Sequence, residues 1–124
     1  MKKIENYING SILSVSLKTL PVHDPSTGEK IADVVLSNKD DFQKIMNSSE
    51  KAFNEWSNIT PLKRSRVISK FKENIEKDLE NIAKIVSIEH GKTLEDSKGS
   101  VVRGLEVVEF ASGIPHLLKG EFSQ

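Results

Sequence analysis

Cysteine is absent from the 124 residues, which excludes disulfide frameworks, zinc knuckles, iron–sulfur ligation and thiol catalysis by this chain's own side chains. Net charge is absent as well: 18 Lys and Arg balance 18 Asp and Glu. An obligate nucleic-acid binder carries a basic surplus to neutralise phosphates, so that class is disfavoured. The basic cluster Lys63, Arg64, Arg66, Lys70 is too small to restore it and reads as a solvated helix start. No apolar run approaches membrane-spanning length. Met1, Lys2 and Lys3 give a basic start, but the polar residues Asn6, Asn9 and Ser11 come too soon after it for a signal-peptide core to form. A soluble cytoplasmic protein with no membrane contact is expected. His23, His90 and His116 fall in separate segments without a carboxylate or second histidine at ligand spacing, so no metal site is expected.

What the chain does have is 36% hydrophobic and 29% charged residues, enough for a globular core without covalent staples. Two different periodicities divide it. Residues 1–36 read as β-hairpins. Asn9-Gly10 separates Ile4–Asn9 from Ile12–Leu17 as a two-residue turn. Asp24-Pro25-Ser26-Thr27-Gly28 separates Val22-His23 from the β-branched run Ile31–Leu36. Such ribbons need a further layer or a partner to cover one face.

Residues 37–124 read as helical. Ser37 predicts an N-cap, with Asp40 and Asp41 in the first turn, and Phe42, Ile45, Met46, Ala52, Phe53 and Trp56 fall on one face. Thr60-Pro61 opens a second helix with Val67, Ile68, Phe71 and Ile75 as its stripe. Leu79, Ile82, Ala83 and Val86 continue at helical spacing, as one long helix or as two broken near Asp78. Gly91 predicts a left-handed cap. Thr93, with Asp96 three residues on, starts a last helix that turns Leu94, Val101, Leu105 and Val108 inward; Gly113 and Pro115 end it. Lys72/Glu76, Glu73/Lys77 and Glu80/Lys84 are expected as surface pairs one turn apart. The fold class is α+β, with N-terminal β-hairpins followed by three to four helices.

Few residues point to chemistry. Gly91-Lys92-Thr93 looks like the tail of a phosphate loop, but the glycine that would begin such a loop is replaced by Val86 inside a helical stripe. Gly91, Gly99 and Gly104 miss the dinucleotide-binding spacing, and no nucleophile elbow occurs. Glycines within the last helix cost about 1 kcal/mol each relative to alanine, which predicts close packing at Gly99 and Gly104. Arg103 stands out because it lies between Val101-Val102 and Gly104-Leu105 in the most apolar part of the last helix. Two readings are open for it. It pairs with Glu106 or lays its stem along apolar surface, or it reaches the anion of a ligand.

Taken in order, the segments resemble the opening part of the NAD-dependent aldehyde dehydrogenase superfamily. The resemblance runs from Asn6-Tyr7-Ile8-Asn9-Gly10 through Asp24-Pro25-Ser26-Thr27-Gly28-Glu29, Ala52-Phe53-Asn54-Glu55-Trp56 and Arg64 to Glu89-His90-Gly91-Lys92-Thr93. The last helix, Gly99-Ser100-Val101-Val102-Arg103-Gly104-Leu105-Glu106-Val107-Val108-Glu109, is most similar to the methylmalonate-semialdehyde dehydrogenase branch, which acylates coenzyme A. The resemblance implies an α/β parent that converts malonate or methylmalonate semialdehyde, NAD and coenzyme A to acetyl- or propionyl-CoA, CO2 and NADH. In that family a cysteine attacks the aldehyde and hydride passes to the nicotinamide. This chain lacks the cysteine and the nucleotide-binding strands, so it is expected to be an inactive fragment with no catalytic and no cofactor-binding residue of its own. The resemblance makes residues 1–36 an oligomerisation-type segment, implying a homo-oligomer, and residues 37–124 the helical opening part of an incomplete NAD-binding domain. It gives Arg103 the substrate carboxylate.

A different class remains open, a non-catalytic helical interaction module. The last helix discriminates. Burial of Val101, Val102, Leu105, Val107, Val108 and Phe110 within the chain favours a module, whereas bare side chains favour a larger fold.

Overall fold

A computed structural model describes residues 2–121. They form two compact units that divide between Asn58 and Ile59. The first contains β1 (Lys2–Ile4), β2 (Tyr7–Ile8), β3 (Ser11–Ile12), β4 (Thr19–His23), β5 (Lys30–Val35) and α1 (Lys39–Trp56). Asn9 and Gly10 both take positive φ, 50° and 78°, the geometry of a type I′ turn, whose twist matches the strands it joins. Tyr7 thereby faces Ile12, and Ile8 faces Ser11. In the second hairpin Asp24 is the organiser. Its carboxylate accepts from Ser26 N at 2.7 Å and its backbone N–H donates to Glu29 O at 2.9 Å, so β4 returns as β5.

One strand was not anticipated. β1 runs parallel to β5, Lys2 beside Ala32 and Ile4 beside Val34, giving the order β1-β5-β4. Pairing across some thirty residues leaves no local sequence mark, because a parallel neighbour needs no turn signal. Ala32 and Val35 of the central strand are buried.

The first helix is capped one residue later than expected. Asn38, not Ser37, is the N-cap; its side chain accepts from Asp40 N at 2.9 Å and Asp41 N at 3.0 Å. The reason lies at Asp41, which completes the capping box by accepting from Asn38 N at 3.0 Å. The same carboxylate, wholly buried, also accepts from Val15 N at 2.6 Å and Ser16 N at 3.1 Å. It straps the segment between β3 and β4 to the start of α1. The Val15 amide, followed by that of Asn38, holds the carboxyl below its ordinary range, against the opposing effect of burial.

The second unit holds α2 (Pro61–Lys77), α3 (Leu79–His90), α4 (Leu94–Ser112) and the short α5 (Ile114–Leu117). Pro61 occupies the first turn of α2 as predicted, whereas the Thr60 side chain makes no capping hydrogen bond. Pro already removes one of the N–H groups that a cap would satisfy. Asp78 alone separates α2 from α3, its φ of −106° and ψ of 13° breaking the helix. α4 packs on both α2 and α3, burying Ala83, Ser97 and Leu105; Leu94, Val101 and Val108 are half-buried, on the inward side expected. The Ser65 hydroxyl donates to Ser112 O, fixing the far end of α4 against α2. Gly113 follows α4 as its C-cap, and Pro115 opens α5.

The expected surface pairs are only partly those formed. Lys72 meets Glu76 at 3.4 Å, as predicted, and also reaches Glu109 at 3.3 Å. Glu73 pairs with Lys70 instead of Lys77, and Glu80 pairs across to Lys98 of α4 at 2.8 Å instead of Lys84. Tertiary proximity offered Glu80 a partner that spacing along one helix cannot show. Much apolar surface stays bare. On α1, Phe42 and Phe53 are exposed; on α4, Val102, Val107 and Phe110 are.

Candidate functional site

The junction of α3 and α4 is built by five residues. Gly91 caps α3 with φ of 76°, a left-handed conformation that a side chain would strain, and its N–H donates to Ser87 O at 2.8 Å. The Ser87 hydroxyl donates to Lys92 O at 2.7 Å, which fixes the next peptide. Thr93 then caps α4, accepting from Asp96 N at 3.2 Å. Its hydroxyl is oriented by donating to the Asp96 carboxylate at 2.8 Å. Lys92 is thus held just ahead of α4, with its side chain directed along the first turns of that helix.

The Lys92 ammonium donates to Ser100 Oγ. Arg103 Nη2 donates to the same oxygen at 3.0 Å, and the Ser100 hydroxyl donates to Asp96 O at 3.1 Å. A hydroxyl has one proton and two lone pairs, so Ser100 is fully used: its proton is committed to the helix backbone and both lone pairs face cations. Gly99 lies beneath the guanidinium, where a Cβ would meet Arg103 Nη1 at 3.6 Å, ordinary contact distance. At Gly104 a Cβ would meet nothing within 4 Å, so the bulky neighbour expected there is not among the described residues.

Unlike Lys98 and Lys72, the two cations have no counter-ion among the described residues. Lys98 is held by Glu80 and Glu95, and Lys72 by Glu76 and Glu109. Among the described residues no carboxylate lies within 4 Å of Lys92 or Arg103, and the Glu106 pairing left open by the sequence is not made. Arg103 spends one of its five N–H groups on Ser100 and keeps the rest of its fork for an acceptor. Arg103, Val107 and Phe110 follow one another at spacings of four and three along α4, hence on one side of it, and all three are exposed. That side offers one planar cation with an apolar wall beside it.

Other chemistries find no support here. Gly91-Lys92-Thr93 joins two helices, not a strand to a helix, so it is no phosphate loop. Gly99 and Gly104 lie inside α4, so neither belongs to a pyrophosphate-binding turn. Among the described residues no cluster of three metal-ligating side chains occurs, and no helix is long and apolar enough to cross a membrane. Sequence reasoning singled out Arg103 but missed Lys92 and Ser100 as its partners. Lys92 precedes the helix, so no helical spacing rule connects it to Ser100.

The profile of the aldehyde dehydrogenase family matches residues 12–124. The malonate-semialdehyde dehydrogenase of Pseudomonas aeruginosa is 40% identical over 124 residues, all of this chain and 25% of that protein. The solved methylmalonate-semialdehyde dehydrogenase of Oceanimonas doudoroffii superposes with a TM-score of 0.96 at 37% identity, covering 100% of this chain and 25% of that one. A Sinorhizobium meliloti protein provisionally given the same enzyme name, solved with NAD, also gives 0.96 at 37% identity, over 100% of this chain and 26% of its own. The chain therefore spans about a quarter of the length of the relatives it matches. With a family profile covering nearly all of it and strands and helices that superpose throughout, this chain belongs to the aldehyde dehydrogenase family.

Proposed function

We propose that this chain is the opening part of an NAD-dependent, coenzyme-A-acylating dehydrogenase for malonate or methylmalonate semialdehyde, and that Arg103 binds the substrate carboxylate. The observation that carries the reading is the uncompensated Arg103 fork beside exposed Val107 and Phe110. A carboxylate meets the fork bidentately, and a short apolar chain bearing the aldehyde lies along the wall. The names of the relatives support the same substrate class.

For malonate semialdehyde the overall reaction is substrate, NAD and coenzyme A giving acetyl-CoA, CO2 and NADH. NAD would supply the hydride acceptor and a cysteine thiol the acyl carrier, both from outside the residues described here. The part of these residues is to bind and orient the anionic end of the substrate. Residues 37–124 are accordingly the helical opening part of the NAD-binding domain, and the 124 residues by themselves are inactive. Bare Val102, Val107 and Phe110 favour a larger fold over a self-contained interaction module. Residues 1–36 are the oligomerisation segment, where exposed Tyr7, Ile12, Leu17 and Leu20 await a partner subunit.

The test is Arg103→Lys in the dehydrogenase containing this chain, assayed by NADH formation. Loss of one charge-assisted hydrogen bond, about 1.5–3 kcal/mol, raises KM for malonate semialdehyde about 10- to 100-fold while leaving propanal unchanged. Equal effects on the two aldehydes would remove Arg103 from the substrate site.

A further inference from the structure

Lys92 and Arg103 donate to one hydroxyl oxygen, so their charged nitrogens lie within about 6 Å of each other, the most that two hydrogen bonds to one atom allow. Two like charges that close repel, and among the described residues no carboxylate lies within 4 Å of either to offset this. The arrangement is also a built one. Lys92 is half-buried, its carbonyl is tied by Ser87, and the Ser100 hydroxyl that joins the cations is oriented by Asp96 O. An ammonium has three donors and only one is spent on Ser100.

We propose that Lys92 is the second cation of the Arg103 site, a positioning residue that sets the guanidinium through Ser100 and adds the positive charge that selects aldehydes bearing a carboxylate. The inference rests on the reading of Arg103 as the carboxylate-binding residue, and deepens it. Lys92 restrains Ser100 from the α3–α4 junction, while Ser100 restrains Arg103 from the preceding turn of α4. The fork is thereby held before substrate arrives, which lowers the ordering cost of binding. The extra charge acts on the carboxylate alone and leaves an uncharged aldehyde unaffected.

The experiment compares Lys92→Met, Lys92→Arg, Ser100→Ala and Arg103→Lys in the dehydrogenase containing this chain, with malonate semialdehyde and propanal as substrates at low and high salt. Removing one positive charge near a partly exposed site raises KM for malonate semialdehyde about tenfold in Lys92→Met and weakens its salt dependence. The preference for malonate semialdehyde over propanal, as the ratio of their kcat/KM values, falls about tenfold with it, Lys92→Arg restores most of the loss, and Ser100→Ala reproduces part of it. Because the three side chains act as one unit, combining Lys92→Met with Arg103→Lys gives less than the product of the single effects. If Arg103→Lys discriminates between the substrates but neither Lys92→Met nor Ser100→Ala does, the role of Lys92 is refuted and the semialdehyde reading stands. Equal losses on both aldehydes, unrescued by arginine, also refute it, since that is what a purely structural lysine would give. A wild-type enzyme with no preference for the carboxylated aldehyde overturns the semialdehyde reading and this inference with it.

Discussion

Leu105 and Phe110 lie five residues apart on α4 and should respond very unequally to truncation. Leu105 is 7% exposed and Phe110 70%. Leu105→Ala removes three buried carbons, a transfer loss of about 2.4 kcal/mol at roughly 0.8 kcal/mol each. A sealed core adds a further cost for the cavity left behind. Here Leu105 borders a groove lined by Phe71, Ile75, Ile82, Val101 and Val108 that is open on one side, so the vacated space joins solvent and the added cost is small. The expected loss is about 2–3 kcal/mol, or roughly 10–20 °C in melting temperature for a unit of this size. Phe110→Ala, with most of its ring already in water, should cost under about 1 kcal/mol. Urea unfolding of the 124-residue chain, followed by helical circular dichroism, measures both. In the dehydrogenase containing the chain, where α4 has a covering layer under the proposed function, Phe110→Ala should rise to about 3–5 kcal/mol. Equal costs for the two variants in the short chain would refute the burial argument; an unchanged Phe110 cost in the longer enzyme would refute the covering layer.

Asp41→Asn should flatten the acid limb of stability. A carboxyl held below its ordinary value of 3.8 by backbone donors stabilises the fold above that pH, and the contribution is lost as pH falls through the lowered value. Urea midpoints at neutral pH and near pH 3 should therefore fall further for wild type than for the variant; parallel falls would contradict it. Gly91→Ala places a Cβ at φ of 76° and should cost about 1–2 kcal/mol, part of which Asn recovers; a neutral substitution would mean that the junction relaxes. The short chain should associate with rising concentration through bare side chains such as Leu17, 90% exposed. Sedimentation showing a monomer at all concentrations would count against the oligomerisation segment.

What sequence could show depended on the range of each cause. Asn9-Gly10, Pro61, Gly91 and Thr93 act on their own backbone within a few residues, and the structure places a turn, a helix start, a cap and a second cap at those positions. The apolar stripes located three or four helices, leaving open whether the middle stretch is one helix or two, and could not show which stripes are covered, because cover depends on neighbours. Errors gathered where a residue had a distant partner. The cap at Asn38 is decided by Asp41, whose other donors are Val15 and Ser16; Glu80 took Lys98 across a helix interface; β1 found β5 with no turn between them. At the candidate site, Arg103 was legible from its apolar neighbours, whereas Lys92 and Ser100 were not.

The Asp41 strap bears on the order in which the chain is made. Its donors, at Val15, Ser16 and Asn38, all precede it, so the carboxylate finds every partner already synthesised when it leaves the ribosome. The strands that α1 accompanies have also emerged by then, and the first unit ends at Asn58. Nothing made later is needed to satisfy this buried charge. The first unit can therefore close around this charge while α2 is still being translated.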